Sequence, residues 1–127
     1  MDFLSPHEAR LRSVLRIVCG LLFLHFGIAK LFHVPLVPAF AAVGPTDWPE
    51  GYAGIIELVT GALLVLGFFS RIAAFIASGE MAAAYFMAHF PASFFPAINQ
   101  GTPAILFCFV FLYLAAAGPG PWAVNQK

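Results

Sequence analysis

Four long apolar runs leave this chain few folds to adopt. They cover approximately residues 13–33, 52–69, 71–90 and 102–118. Each is close to the roughly 17–25 residues that a helix needs to cross a bilayer, where a helix satisfies its own backbone hydrogen bonds. The fourth run, TPAILFCFVFLYLAAAG, contains no charged residue. We therefore expect an all-α membrane protein, with residues 1–127 forming one domain, an antiparallel bundle of four transmembrane helices.

The composition argues against the common soluble classes. Of the 127 residues, 61% are hydrophobic and 9% are charged, and the mean hydropathy is +0.91. Soluble domains are about half apolar and about a quarter charged. The formal net charge is zero, so no nucleic-acid partner is indicated. Cys19 and Cys108 lie inside apolar runs without a CxxC pattern, which predicts two small core residues.

Lysine and arginine are distributed unevenly between the predicted loops. Arg10, Arg12, Arg71 and Lys127 fall on one side of a four-span arrangement, whereas the loops at 34–51 and 91–101 contain neither residue type. Cytoplasmic loops carry the excess of positive residues. We therefore expect both termini in the cytoplasm and a multi-pass location in the bacterial cytoplasmic (inner) membrane.

The first run also resembles a signal peptide. Arginines precede it, and Ala39-Phe40-Ala41 is similar to a cleavage site. Lys30 and His33 interrupt the path from the apolar run to that site. We therefore expect the first run to be retained as a transmembrane helix.

Ionisable residues inside the runs make up the candidate site. They are Arg16, His25, Lys30, Glu57, Glu80 and His89. A charge at mid-bilayer costs roughly 2.5–3.5 kcal/mol on insertion scales, so such residues by default indicate a functional polar cavity. The alternatives are buried ion pairs that only fix helix register and contacts in an oligomer. We predict no metal site, because no spacing supports zinc ligation by His25, His33 and His89.

Depth and periodicity predict one ion pair among these residues. Lys30 near the outer end of the first span and Glu57 in the second lie at similar depths, at 1.5 Å per residue. At 100° per residue, the first span has a stripe of Arg16, Gly20, Phe23, Gly27 and Lys30, and the second has Gly54, Glu57, Gly61 and Leu64. Both stripes are expected to face inward, where small residues allow close packing. His25 is about 140° from Lys30 and faces elsewhere. We expect Glu80 near the midplane and His89 at the outer end of the third span.

Several motifs together resemble the DoxX family of small bacterial membrane proteins. They are R-x3-G-x2-F-x3-G-x2-K from Arg16 to Lys30, E-x3-GALLVLGFFSR from Glu57 to Arg71, the polar third span with Glu80 and His89, F-x-P-x-x-N-x-G from Phe94 to Gly101, and GPGPW from Gly118 to Trp122. The resemblance covers about residues 12–125. It implies a four-helix membrane protein linked to respiratory or quinone-coupled redox work, with Arg16, Lys30, Glu57 and Glu80 at recurrent polar positions.

The chain departs from this family pattern at two places. Relatives often read N-G-G-E before the last span, whereas this chain reads Asn99-Gln100-Gly101-Thr102. The usual S-L-D near the end is Ala123-Val124-Asn125 here. This chain therefore lacks the acidic residues of the family pattern at both places.

Three functions remain open. The first is a redox accessory or quinone-interacting subunit with a polar cavity in the outer half of the bundle, where Lys30 and His25 donate hydrogen bonds and Glu57 and Glu80 relay protons. The residues themselves predict no cofactor, and the resemblance makes a bound quinone the candidate. No CxxCH, Fe–S or dinucleotide motif is present. Electrons would therefore come from a partner or a bound cofactor, and enzymatic activity stays open.

The second function is a non-catalytic structural or assembly subunit of a larger membrane complex. The third is a small transporter or channel, for which four spans leave little room without oligomerisation. The partners expected across these functions are the lipid bilayer, a membrane redox complex and a second copy of the chain.

Overall fold

The computed structural model describes every residue from Met1 to Lys127 and contains five α-helices and no β-strand. The helices are α1 (Glu8–Phe32), α2 (Glu50–Leu66), α3 (Ser70–Ala84), α4 (Pro96–Asn99) and α5 (Thr102–Ala117). A π-helical turn, Tyr85–His89, and a 3-10 turn, Phe90–Ala92, extend α3, and further 3-10 turns cover Ser5–His7 and Pro38–Phe40. The predicted all-helical class is confirmed, and each of the four apolar runs contains one long helix.

The helix ends follow local chemistry. α2 stops at Gly67, which adopts φ +73° and donates its N–H to the Leu63 carbonyl at 2.9 Å, a common glycine-mediated termination. The next helix begins at Ser70, so α2 and α3 are antiparallel neighbours, as the short turn predicts. α1 begins at Glu8, five residues before the predicted start of the first span. Its first turns therefore include Arg10 and Arg12.

α1 and α2 approach each other backbone to backbone through glycines. A Cβ atom placed on Gly27 would lie 2.6 Å from the Leu58 backbone nitrogen. One placed on Gly61 would lie 2.5 Å from the Leu24 nitrogen. All residues of the two predicted inward stripes are buried. The small-residue faces therefore pack as expected, and this packing fixes the antiparallel register of the two helices.

α3 and α5 form the second closely packed pair. Alanines of α3, including Ala73, Ala74 and Ala77, are buried, and the Ser78 hydroxyl donates to the Cys108 carbonyl of α5 at 2.7 Å. Phe23 of α1 meets Phe111 of α5 edge to face, with ring centroids 4.9 Å apart. The core consists of Cys19, Phe23, Leu64, Ala73, Ala74, Ala77, Met81, Ala104, Phe111 and Leu114. This core joins the two helix pairs into one bundle.

The bundle has two distinct ends. One contains the C-terminus of α1, the start of α2 and α4, and is called here the Lys30 end. The other contains both chain termini and the Gly67 turn, and is called the terminal end. At the terminal end the last residues fold back on the bundle, since the N–H groups of Val124 and Asn125 donate to the carbonyls of Leu66 and Gly67, both at 3.2 Å.

Large apolar side chains cover the outside of the helices. Exposed examples are Val18, Leu22, Val59, Ile72, Phe75, Phe86, Leu106 and Phe109. Two helical segments, Ser5–Phe32 with 28 residues and Ser70–Ala92 with 23, are long and apolar enough to cross a membrane, and Thr102–Ala117 is a shorter apolar helix. An apolar exterior of this extent indicates a hydrophobic surrounding rather than water.

The glycine contact between α1 and α2 can be tested with a matched pair of substitutions. Gly27→Ala should lower the melting temperature in detergent, because overpacking against backbone costs about 1–3 kcal/mol and exceeds the helix-propensity gain of about 1 kcal/mol. Gly79→Ala is the control, since a Cβ atom there meets nothing within 4 Å, and it should leave stability unchanged or raise it. Circular dichroism during heating measures both. Equal behaviour of the two variants would contradict the contact.

Candidate functional site

Lys30 is the centre of a polar cluster at the end of α1. Its ammonium nitrogen Nζ lies 2.9 Å from Oε2 of Glu57 and 3.2 Å from Oε2 of Glu50. Lys30 is 8% exposed and Glu57 is 1% exposed. The predicted Lys30–Glu57 ion pair is therefore present, and it is buried. Nζ also lies 5.2 Å from the centroid of the Phe40 ring, in a cation–π arrangement.

Glu50 belongs to the site, although its position in the sequence predicts that it lies in the loop at 34–51. It is the first residue of α2, and Glu57 follows two helical turns later on the same face. Lys30 thus lies between two carboxylates of one helix. The spacing of Glu50, Gly54 and Glu57 is that of one helical face and could have indicated this arrangement. The sequence did not predict, however, that a helix begins inside a proline-rich segment.

Glu80 of α3 brings a third carboxyl group to the cluster. It lines a cavity together with Lys30 and Glu50. Oε2 of Glu80 and Oε1 of Glu57 are both buried without a hydrogen-bond partner in the protein. The cluster therefore contains three carboxyl groups and one ammonium group, with two carboxyl oxygens left for a proton, a water molecule or a ligand.

Two cavities adjoin Lys30, and the larger of these two has a volume of about 350 Å³. Its apolar wall comes from three helices and the 34–49 segment, and its polar groups are Lys30, Glu50, Glu57, His89 and Gln100. The aromatic lining consists of Phe23, Phe26, Phe40 and Phe107. An apolar cavity with a few convergent polar groups is typical of a small-molecule site.

A second cavity, of about 240 Å³, lies between α2 and α3. Lys30 and Glu50 line both cavities, whereas Glu80 lines only this one and Glu57 only the larger one. Trp48 and Tyr52, with ring centroids 5.6 Å apart, stand at this second cavity and are exposed. Glu57 and Glu80 thus line different cavities, which have Lys30 and Glu50 in common.

His89 reaches the larger cavity because the end of α3 widens into a π-helical turn. Such turns are rare and frequently occur at functional sites. Nδ1 of His89 lies 3.0 Å from the Asn99 carbonyl oxygen, so in the neutral ring Nδ1 carries the proton and Nε2 is an acceptor. The Asn99 side chain in turn donates to the Tyr85 hydroxyl at 3.1 Å and to the Ser93 carbonyl at 2.9 Å. The spacing of residues along the chain does not predict Tyr85 or Asn99 as parts of this site.

His25 and Arg16 do not join the cluster. The ring of His25 is on the exposed face of α1 beside Phe26, and the predicted separation from Lys30 is confirmed. Arg16 is 0% exposed and lies toward the terminal end. Its guanidinium group donates to the carbonyls of Leu64 at 2.8 Å, of Pro119 and of Trp122. The Arg16 guanidinium group therefore binds backbone carbonyls of α2 and of the C-terminal segment, which is a structural use of its charge.

No three His, Cys, Asp or Glu side chains form a group that could hold a metal ion. The histidines at 25, 33 and 89 in particular form no ligand set.

Comparison with known proteins places the chain in a family. The sequence profile of the DoxX family matches residues 11–90. A protein of Haemophilus influenzae bearing the description "Uncharacterized protein" is 38% identical over 130 residues, which cover 100% of this chain and 97% of its own length. No solved structure matches the chain. The matched range 11–90 contains Lys30, Glu50, Glu57, Glu80 and His89.

The buried ion pair can be tested by removing its cation. Lys30→Met leaves Glu57 buried beside two other acidic residues, so we expect a loss of about 3–5 kcal/mol, the usual cost of breaking a buried pair. Adding Glu57→Gln to Lys30→Met should recover part of that stability. Lys127→Met removes an exposed lysine and serves as the control. If the Lys30→Met variant melts at the same temperature as Lys127→Met in detergent, the Lys30–Glu57 ion pair does not contribute to stability.

Proposed function

The chain belongs to the DoxX family of membrane proteins, and from that premise we propose that it binds a quinone-type ligand in the larger cavity as a redox accessory subunit. The observation that carries this proposal is the buried Lys30 ammonium group at the wall of an aromatic cavity of about 350 Å³. That volume is within the roughly 300–1,000 Å³ of small-molecule sites.

The chemistry of the cavity suits a flat ring with carbonyl oxygens. Lysine has three N–H donors, and Lys30 uses two of them on Glu57 and Glu50. The third is free to donate to a ligand carbonyl oxygen in the larger cavity. The rings of Phe26 and Phe107 offer apolar faces for stacking. His25, a second candidate donor from the sequence, is not among the lining residues.

The protein supplies no electrons of its own in this proposal. Its sequence contains no motif for haem attachment, an Fe–S cluster or a dinucleotide. Reduction of the ligand would take electrons from a partner in a membrane redox complex. The chain would then bind and orient the quinone, keep water away from it and hold protons near its oxygens.

Ligand binding can be measured by titrating the detergent-solubilised protein with a short-tailed benzoquinone in a calorimeter. Lys30→Met should weaken binding about 10- to 100-fold, because a hydrogen bond from a charged group contributes about 1.5–3 kcal/mol. Phe26→Ala, which removes a stacking face, should weaken binding without touching the ion pair. His25→Ala is the control, because His25 precedes Phe26 on α1 but does not line the cavity. This variant should bind the quinone like the wild type.

The absence of saturable binding to the wild type, or an unchanged affinity in Lys30→Met, would contradict the proposal. A stoichiometric protein partner retained under mild extraction, together with no quinone binding, would favour the non-catalytic assembly subunit instead.

We further propose that α1, α2, the extended α3 and α5 all span the bacterial inner membrane, with both termini in the cytoplasm. α2 has 17 residues and α5 has 16, at the lower limit of roughly 17–25 for spanning helices. Lysine and arginine are absent from 34–51 and 91–101, at the Lys30 end. The larger cavity would then lie in the outer half of the membrane.

Cysteine labelling tests this topology. In a background with Cys19→Ala and Cys108→Ala, Thr46→Cys at the Lys30 end and Gln126→Cys at the terminal end are both at exposed positions. A membrane-impermeant maleimide applied to spheroplasts should label Thr46→Cys and leave Gln126→Cys unlabelled until the membrane is permeabilised. Labelling of Gln126→Cys in intact spheroplasts would reverse the proposed orientation.

A further inference from the structure

We propose that the second cavity binds an organic ammonium ion, whose positive charge is held by Glu80 and by the aromatic pair Trp48 and Tyr52. This site is separate from the larger cavity and its quinone-type ligand, so the inference goes beyond the proposed function and does not rest on it. Two sources of an ammonium group fit this chemistry, a lipid head group of the surrounding membrane and a free small cation.

The second cavity lies between the beginning of α2 and the second half of α3 with its π-helical turn. Ile56 and Ile76 supply part of its apolar lining, and Glu80 lines this cavity but not the larger one. Its volume of about 240 Å³ is below the roughly 300–1,000 Å³ of most small-molecule sites. The cavity therefore suits a small cation with a hydrocarbon part.

The Glu80 carboxyl group is the anionic group of this site. Oε2 of Glu80 is buried without a hydrogen-bond partner in the protein, and Glu80 takes part in none of the three salt bridges. A buried polar atom of this kind needs a partner, and an isolated buried carboxylate is neutralised by a proton or by a cation. An ammonium group supplies both an N–H donor and a positive charge, in competition with the proton.

The charges around the cavity favour one more cation. Lys30 is the one basic residue that lines it, and Glu50, Tyr52 and Glu80 are its other titratable residues. The Lys30 ammonium group is already bound by Glu57 at 2.9 Å and Glu50 at 3.2 Å. Three carboxyl groups beside one ammonium group leave an excess of negative charge whenever more than one of them is ionised. That excess attracts a cation and repels an anion.

Trp48 and Tyr52 provide the second means of holding a cation. Their ring centroids are 5.6 Å apart and their planes are inclined at 65°, so the two rings form an aromatic corner beside the cavity. Trp48 is 70% exposed and Tyr52 is 45% exposed. The faces of such rings attract a cation within about 6 Å of the centroid, and aromatic cages recognise ammonium groups in this way. The corner and the unpartnered carboxyl group thus select the same kind of ligand.

The fluorescence of Trp48 measures binding at the site. With Trp122→Phe, Trp48 is the only tryptophan of the chain. The full chain is kept in a non-ionic detergent at mildly alkaline pH, where protons compete less for Glu80. Butylammonium chloride should change the fluorescence with a saturable dependence, whereas butanol, its neutral analogue, should not. No saturable change with butylammonium, or an equal change with butanol, would overturn the proposal.

Substitutions in the same background test the two groups that hold the charge. Glu80→Gln should weaken butylammonium binding about 10- to 100-fold, because it removes a hydrogen bond between charged groups. Glu8→Gln, at an exposed glutamate, is its control. Tyr52→Leu should weaken binding about two- to fivefold, whereas Tyr52→Phe keeps the ring and should bind like the parent. Unchanged affinity in Glu80→Gln would overturn the proposal.

A variant that obstructs the cavity keeps the proposal testable if Glu80→Gln fails to fold. Ala83 is exposed and lines only the second cavity, so Ala83→Phe should weaken butylammonium binding severalfold. Ala116→Phe, at an exposed position near the terminal end, is the matched control and should bind like the parent. Equal affinities of these two variants would place butylammonium outside the second cavity and overturn the proposal.

Nanodiscs distinguish the two sources of the ammonium group. Tryptophan and tyrosine are enriched at the level of lipid head groups, which favours a lipid source. If a lipid head group occupies the site, butylammonium should bind more weakly in phosphatidylethanolamine nanodiscs than in nanodiscs of a neutral galactolipid, because the ethanolamine competes with it. Equal binding in both assigns the site to a free cation.

These measurements also separate this inference from the proposed function. Phe26 lines only the larger cavity, so Phe26→Ala should leave butylammonium binding unchanged. Butylammonium binding without quinone binding would contradict only the quinone-type ligand. Quinone binding to a protein that does not bind butylammonium would contradict only the ammonium site.

Discussion

The close approach of α1 and α2 is the constraint on which the rest of the structure depends. Glycines at the crossing let the backbones nearly touch, so the register of the two helices is set by shape rather than by charge. In that register Lys30 lies opposite Gly54, with carboxylates one helical turn on either side. A larger residue at the crossing would separate the helices and leave three acidic side chains without their cation. The ion pair is therefore a consequence of the glycine contact as much as a support for it.

The bundle uses buried charge in two different ways. At the terminal end, Arg16 donates to carbonyls from α2 and the C-terminal segment, and Ser13 donates to the Pro119 carbonyl and accepts from the Trp122 N–H, both at 3.1 Å. These bonds close that end of the fold. At the Lys30 end, the cation faces an excess of carboxyl groups beside two cavities, and buried oxygens remain without partners. The Lys30 end, where buried charges lie beside cavities, has the properties of a functional site.

Much of this arrangement was predictable because helical periodicity and depth are local properties of a sequence. The inward stripes, the Lys30–Glu57 pair, the separate orientation of His25 and the short turn before Ser70 all follow from spacing along single helices. Spacing alone did not predict the position of Glu50, because its helix begins within a proline-rich segment. It was also insufficient for Asn99 and Tyr85, whose hydrogen bonds connect α3 to the segment before α5. Arg16 shared a stripe with Lys30, yet 14 residues separate them, about 21 Å along a helix, so one face serves two sites.

The sequence by itself determined the all-helical class, the four long helices, the buried faces and the family, because apolar runs and 3.6-residue periodicity act within each segment. Only the tertiary structure decided which charges meet. The position of Glu80 at a cavity shared with Lys30, the position of Glu50 beside Lys30 and the division of the space around them into two cavities depend on how α1, α2 and α3 pack together. These contacts join segments that are far apart in the chain, and the periodicity within one helix does not predict them.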